Sequence, residues 1–129
     1  MEQLILHLFG DYVTQSDWMA QNKTKRDLPA FTHALVYALP FFLLTRDSVR
    51  GQIAWATIFL THFVIDRYRL ARYVVWAKEW LSPTRPLPWK DCTGTGYDPA
   101  KPAWLAVWLM IAADNTLHLA INYAAIRWL

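Results

Sequence analysis

A single cysteine, Cys92, excludes an internal disulfide framework and says little about redox compartment. Glutamate is nearly absent too, with Glu2 and Glu79 the only two. Ferritin-like di-iron sites, built from several glutamates and a Glu-x-x-His pattern, are excluded with it. No His-Glu-x-x-His signature occurs, and no contiguous His-Asp doublet of the kind an HD-type phosphohydrolase carries. The N-terminus lacks a basic leader region, carries Glu2 and reaches Asp11 after a short apolar run, so no cleavable signal peptide is expected. Solenoid repeats and low-complexity tracts are also missing. Charge is scarce: 18% of the 129 residues are charged, below the roughly 25% of ordinary soluble domains. The net charge of +3 is mild, so the basic residues read as flanking a membrane, and no nucleic acid is expected as a partner.

What the chain has is apolar length. Hydrophobic residues make up 55% and aromatics 16%, enough for one compact domain with a real core over residues 1–129. Four segments read as helix: about Glu2 to Gln21, Pro29 to about Thr45, Gly51 onward as far as Leu81, and Pro102 to Leu129. Pro29 and Pro102 stand where a first helical turn tolerates proline, and Pro40 should kink the second segment. Between the third and fourth lies "SPTRPLPWKDCTGTGYDPAKP", holding five of the seven prolines and two of the four glycines, a loop by composition. Its "TGTG" lacks a following Gly-Lys-Ser/Thr and is better read as turn chemistry than as a phosphate loop. The expected architecture is all-α, a four-helix membrane-embedded bundle with a long loop between helices three and four.

The membrane reading rests on length. "LPAFTHALVYALPFFLLT" runs 18 residues with His33 its only ionisable group. "PAWLAVWLMIAADNTLHLAINYAAI" is longer and interrupted only by Asp114 and His118. About 20 residues cross a hydrocarbon core of about 30 Å. "GQIAWATIFLTHFVI" is a little short, and the first helix shorter still. Trp18, Trp76, Trp80, Trp104 and Trp128 favour segment ends, as an aromatic belt does. Against this stands a mean hydropathy of +0.11, low for a polytopic protein, so a soluble and unusually apolar bundle is the alternative. Lys23, Lys25 and Arg26, with Arg67, Arg69 and Arg72, outweigh Arg46 and Arg50 and place their ends of the helices on the cytoplasmic side.

The chain's four histidines are placed in a pattern. His7 and Asp11, His62 and Asp66, and Asp114 and His118 are each four residues apart, so each pair shares one helix face. With eight aspartates available, chance gives three or more such pairs less than roughly one time in a hundred. His33 sits mid-way along the second helix. A lone carboxylate in lipid or a dry core costs several kcal/mol unless paired or bound to a cation. No lysine or arginine occurs within the apolar stretches of helices two or four, so one shared divalent ion, or two, is the expected counter-charge. The candidate ligands are His7, Asp11, His33, His62, Asp66, Asp114 and His118. Mixed nitrogen and carboxylate ligation suits zinc first, then manganese or iron. Any one pair alone is better explained by a satisfied hydrogen bond; the set as a whole favours the metal.

Arg69 and Tyr73 would continue the His62/Asp66 face at i+7 and i+11, where Arg69 meets an anionic substrate group or neutralises Asp66. Asn115 and Asn122 flank His118 as supporting ligands or packing amides. Tyr37, one turn after His33, donates a hydrogen bond or packs.

The strings "HLFGDYVTQSDWMAQNKTK", "THALVY" and "THFVIDRYRLARY" resemble a family of small bacterial and phage multi-pass membrane proteins known as a domain of unknown function. The shared pattern falls here on His7, Asp11, Gln15, Lys23, His33, His62 and Asp66. The resemblance implies a multi-pass helical protein and supplies no activity. More loosely, the inventory is similar to that of membrane-bound metal-dependent hydrolases and all-helical zinc phosphodiesterases. The missing His-Asp doublet, the short chain and the reversed order of Asp114 and His118 depart from those. The expected function is a metal-dependent hydrolase of the bacterial inner membrane, acting on a phosphoester, lipid or lipid-linked substrate. Asp11 or Asp66 would accept a proton, and Arg69 or Lys23 would hold the phosphate. A non-catalytic membrane protein with a structural metal, such as a phage factor altering the host envelope, and an ion or proton pathway lined by the same residues are the rivals.

Overall fold

A computed structural model describes residues 2–129. Among them every regular element is helical: α1 (Glu2–Leu8), α2 (Asp17–Asn22), α3 (Asp27–Thr45), α4 (Val49–Tyr68), α5 (Ala71–Lys78) and α6 (Ala103–Trp128). The all-α class holds. Two of the four expected helices are each divided in two, for local reasons.

The first division follows α1. The chain widens into a π-helical turn over Phe9–Val13, and the Thr14 hydroxyl then donates back to the Gly10 carbonyl at 3.0 Å. Such side-chain bonds compete with helix continuation. Ser16 turns extended at ψ 159° and caps α2, its Oγ accepting from the Met19 amide at 3.4 Å. The second division is at Arg69, which adopts φ 53°. A non-glycine residue in the left-handed region costs about 1–2 kcal/mol and cannot carry an α-helix on. The Arg69 guanidinium holds the turn by donating to the Gly94 carbonyl at 2.9 Å.

The chain forms two compact units, one of residues up to Tyr68 together with His118–Leu129, the other of Arg69–Leu117. In the first, Tyr37, Phe41, Ala54, Ile58 and Ala125 form the core, with Leu6 and Trp55 packed against it. The short connection after α3 makes α3 and α4 antiparallel neighbours. Arg67, at the end of α4, reaches back to the start of α3 through Asp27 Oδ1 at 2.6 Å and the Thr24 carbonyl at 3.1 Å. Pro40 lies inside α3. Gly10 matters here because a Cβ at that position would stand 2.5 Å from Tyr37 Cδ2, so glycine lets α1 close onto the tyrosine ring.

In the second unit Val75, Tyr97 and Ala106 form a small core beside Ala113. The proline-rich segment is pinned by Trp76 Nε1 to the Leu87 carbonyl, Arg72 Nη1 to the Thr93 carbonyl and Lys78 Nζ to Tyr97 Oη. Gly96 takes φ 85°, where an added Cβ would run into the Arg72 carbonyl. Cys92 is buried in this loop. Burial first, then the carboxylates of Asp98, Asp91 and Glu79, push its thiol pKa up, which makes it a poor nucleophile.

Two helices, Asp27–Thr45 and Ala103–Trp128, are long and apolar enough to cross a membrane. Only 11% of the apolar window of α6 is buried, against 44% in α3.

Candidate metal centre

All four histidines meet in the first unit. His7 from α1, His33 from α3, His62 from α4 and His118 from α6 are buried to 2% exposure or less, and Asp11 and Asp66 to 9% and 5%. The π turn that contains Asp11 matters for this, since π-bulges re-aim side chains and occur often at functional sites.

The short distances converge on two ring nitrogens. His33 Nε2 lies 3.2 Å from Asp11 Oδ1, 3.1 Å from Asp66 Oδ2 and 3.0 Å from His62 Nε2. His62 Nε2 in turn lies 3.5 Å from Asp11 Oδ1 and 3.2 Å from Asp66 Oδ2. Ligands at about 2.0–2.1 Å from a tetrahedral ion stand roughly 3.4 Å apart, so these are the spacings a first coordination sphere needs. Two sets of three donors are close enough to hold an ion: Asp11, His33 and His62, and His62, Asp66 and His118. His118 Nε2 approaches Asp66 Oδ1 at 3.6 Å. Asp11 Oδ1 is buried and has no hydrogen bond of good geometry among the described residues. A buried carboxylate oxygen left in that state costs stability unless something positive meets it.

The buried carboxylates are not without a protein cation, contrary to expectation. A cation does reach the cluster, from outside the apolar helices: Lys23 Nζ donates to Asp66 Oδ2 at 2.8 Å and lies 3.2 Å from His33 Nε2. Lys23 caps the C-terminus of α2, so the break after α1 is what brings it back to the site. With neutral imidazoles, two carboxylates against one ammonium leave one negative charge (−2 + 1 = −1), carried by Asp11.

Around this centre the rings are stacked tightly. Tyr37 lies on His62 with centroids 3.6 Å apart, and His62 lies 4.1 Å from His118. Asn122 Nδ2 donates to Tyr37 Oη at 2.6 Å. The hydroxyl proton is then available to His7 Nδ1, 2.8 Å away, and His7 Nδ1 faces Asp11 Oδ2 at 3.5 Å. Tyr37 therefore both packs and bonds. The far nitrogens of His33 and His62, both Nδ1, are buried without a hydrogen bond among the described residues.

The remaining candidates fall in the second unit. Asp114 is half-buried on α6 and joins neither donor set, although it is four residues from His118. Asn115 is likewise half-buried. Arg69 does not continue the His62/Asp66 face, because α4 ends one residue before it. Its guanidinium is engaged by the Gly94 carbonyl and Met110 Sδ, and Tyr73 stacks on Trp89 at 4.4 Å.

Residues 1–86 match the family described as "Protein of unknown function (DUF3307)", and the chain belongs to it. The matched segment contains His7, Asp11, Lys23, His33, His62 and Asp66, while His118 lies beyond it. No curated protein and no solved structure matches the chain.

Proposed function

We propose that this protein is a membrane-embedded, metal-dependent hydrolase whose single-ion centre is built from Asp11, His33, His62, Asp66 and His118. The reading is carried by one observation: Asp11 Oδ1, buried and without a hydrogen bond of good geometry among the described residues, faces two imidazole nitrogens at the separations of a tetrahedral ligand set. The two donor sets share His62, and its Nε2, the nitrogen that faces both carboxylates, has one lone pair to give. That favours one ion over two. Zinc suits the donors best, with manganese or iron next.

A divalent ion bound there supplies Lewis acidity toward a phosphoryl oxygen and lowers the pKa of a water near it. The protein's own groups do the rest. Asp11 and Asp66 are the carboxylates within reach of a proton to be accepted. Lys23, 18% exposed at its side chain, is the cation nearest the centre and holds the anionic group of a phosphoester. Two long apolar helices and the bare surface of α6 support a lipid or lipid-linked substrate presented within a bacterial inner membrane. Intramembrane ionisable clusters mark function by default.

Lys23 also favours a second reading, in which the cluster is a structural polar core. There the ammonium balances Asp66 and one imidazolium balances Asp11, with no metal and no reaction.

Elemental analysis separates the two. Protein extracted under mild conditions should carry close to stoichiometric transition metal, and Asp66→Ala and His118→Ala should lose it. A metal-free wild type, together with no hydrolysis of phosphodiester and lipid-phosphate probes, leaves the polar-core reading.

A further inference from the structure

Lys23 and a metal ion ask for the same electrons. Lys23 Nζ is 2.8 Å from Asp66 Oδ2 and 3.2 Å from His33 Nε2, and those two atoms are themselves 3.1 Å apart. His33 Nε2 has a single lone pair, which it would have to turn to a bound ion, and Asp66 Oδ2 would have to divide its negative charge between the ion and the ammonium. An ammonium and a divalent cation at about 3 Å would repel strongly in so buried a place, where charge interactions exceed their value in water several-fold. Both cannot be seated at once. Resting on the metal reading above, we infer that Lys23 is a displaceable counter-ion: it fills the cation's place in the metal-free protein and is expelled when metal binds.

Three further features fit that role. The lysine sits outside the apolar helices, at the C-terminal end of the six-residue α2, followed by the turn that leads into α3. A side chain so placed can swing without disturbing a core helix. Lys23 and Asp11 are also the more open members of the cluster, with side chains 18% and 11% exposed, while those of His33, His62 and Asp66 are at 4% or less. The cluster therefore opens on the side where the ammonium lies, and that is its way out. Finally, a lysine bonds as a point charge on a flexible stem, with no bidentate fork to lock it in place.

Displacement gives the site a property that a plain ligand set lacks. Metal-free, Asp66 keeps a partner and the buried carboxylate is tolerated. Metal-loaded, the protein presents a newly freed ammonium at the mouth of the centre, where the proposed reaction needs an anion-binding group. Substrate binding would then depend on metal loading through Lys23.

Limiting acetylation of the wild-type protein with an N-hydroxysuccinimidyl ester, followed by peptide mapping, tests this without any variant. Zinc chloride is the probe and exposed Lys25 the internal reference. Zinc should raise acetylation of Lys23 relative to Lys25 by about fivefold or more, as its seated population is emptied. A Lys23→Met variant, freed of the competitor and with Asp66 deprived of its ammonium counter-charge, should bind zinc about tenfold more tightly or better. If zinc binds at one equivalent and Lys23 acetylation stays level or falls, the inference is overturned and the metal centre stands. A variant that folds and binds zinc no better than wild type overturns it equally. If neither protein binds zinc or manganese, the metal centre falls and the inference with it.

Discussion

A histidine and an aspartate one helical turn apart are a weak sign, and the three such pairs here have different fates. His62 and Asp66 both join the donor sets. His7 faces Asp11 but turns the same nitrogen to Tyr37, and His118 joins Asp66 in a donor set that does not include Asp114. The i,i+4 rule shows which side chains share a face and cannot show which face is turned inward. Lys23 was harder to read, since its bond to Asp66 spans 43 positions in the chain and no local pattern announces it. Tyr37 was half legible, sitting four residues after His33. The different burial of Asp66 and Asp114 leads to a measurable contrast. Asp66→Asn should weaken metal retention by roughly tenfold or more, while Asp114→Asn, outside both donor sets, should change it several times less. Competition with a chromogenic chelator measures both, and equal losses would mean that Asp114 belongs to the centre.

The apolar runs on which element positions rest were plain in the sequence: α3 and α6 fall within a few residues of where length and proline placed them. The two breaks were not plain. Thr14 and Ser16 are ordinary cap and turn residues, yet surrounding apolar periodicity hid them. Arg69 gives no signal at all, because the left-handed region is associated with glycine and asparagine, not arginine. That strain can be isolated by comparing two replacements. Arg69→Ala and Arg69→Gly both lose the guanidinium bonds to Gly94 and Met110, but only alanine keeps the Cβ that resents φ 53°. Glycine should therefore be the more stable of the two by about 1 kcal/mol, read from denaturant unfolding in detergent. A tie would mean that the turn relaxes to another conformation once the anchor is gone.

At the scale of the whole molecule, the question is what covers α6. Its apolar window is only 11% buried, with Trp104, Trp108 and Trp128 exposed along it, and so large an uncovered apolar surface marks a lipid or protein contact. Under the membrane reading proposed above, lipid would be the cover, since α3 also has spanning length and tryptophan collects at helix ends. The basic residues then set the direction. Lys23, Lys25, Arg26 and Arg67 lie at one end of the α3/α4 pair, where Arg67 meets Asp27, and Arg46 and Arg50 lie at the other. If α3 spans as proposed, the positive-inside rule would put the first end in the cytoplasm. Single cysteines test it in a Cys92→Ala background, since Cys92 is the only native thiol. Ser48→Cys, in the α3–α4 connection, should react with a membrane-impermeant maleimide in intact spheroplasts. Thr24→Cys, just before α3, should react only after lysis. Reversal of the two patterns inverts the orientation and moves the mouth of the metal centre, at Lys23, to the outer face. Labelling of both sites before lysis, or recovery of the protein in the carbonate-soluble fraction, would mean that α3 does not span, and a protein partner rather than lipid would have to cover α6.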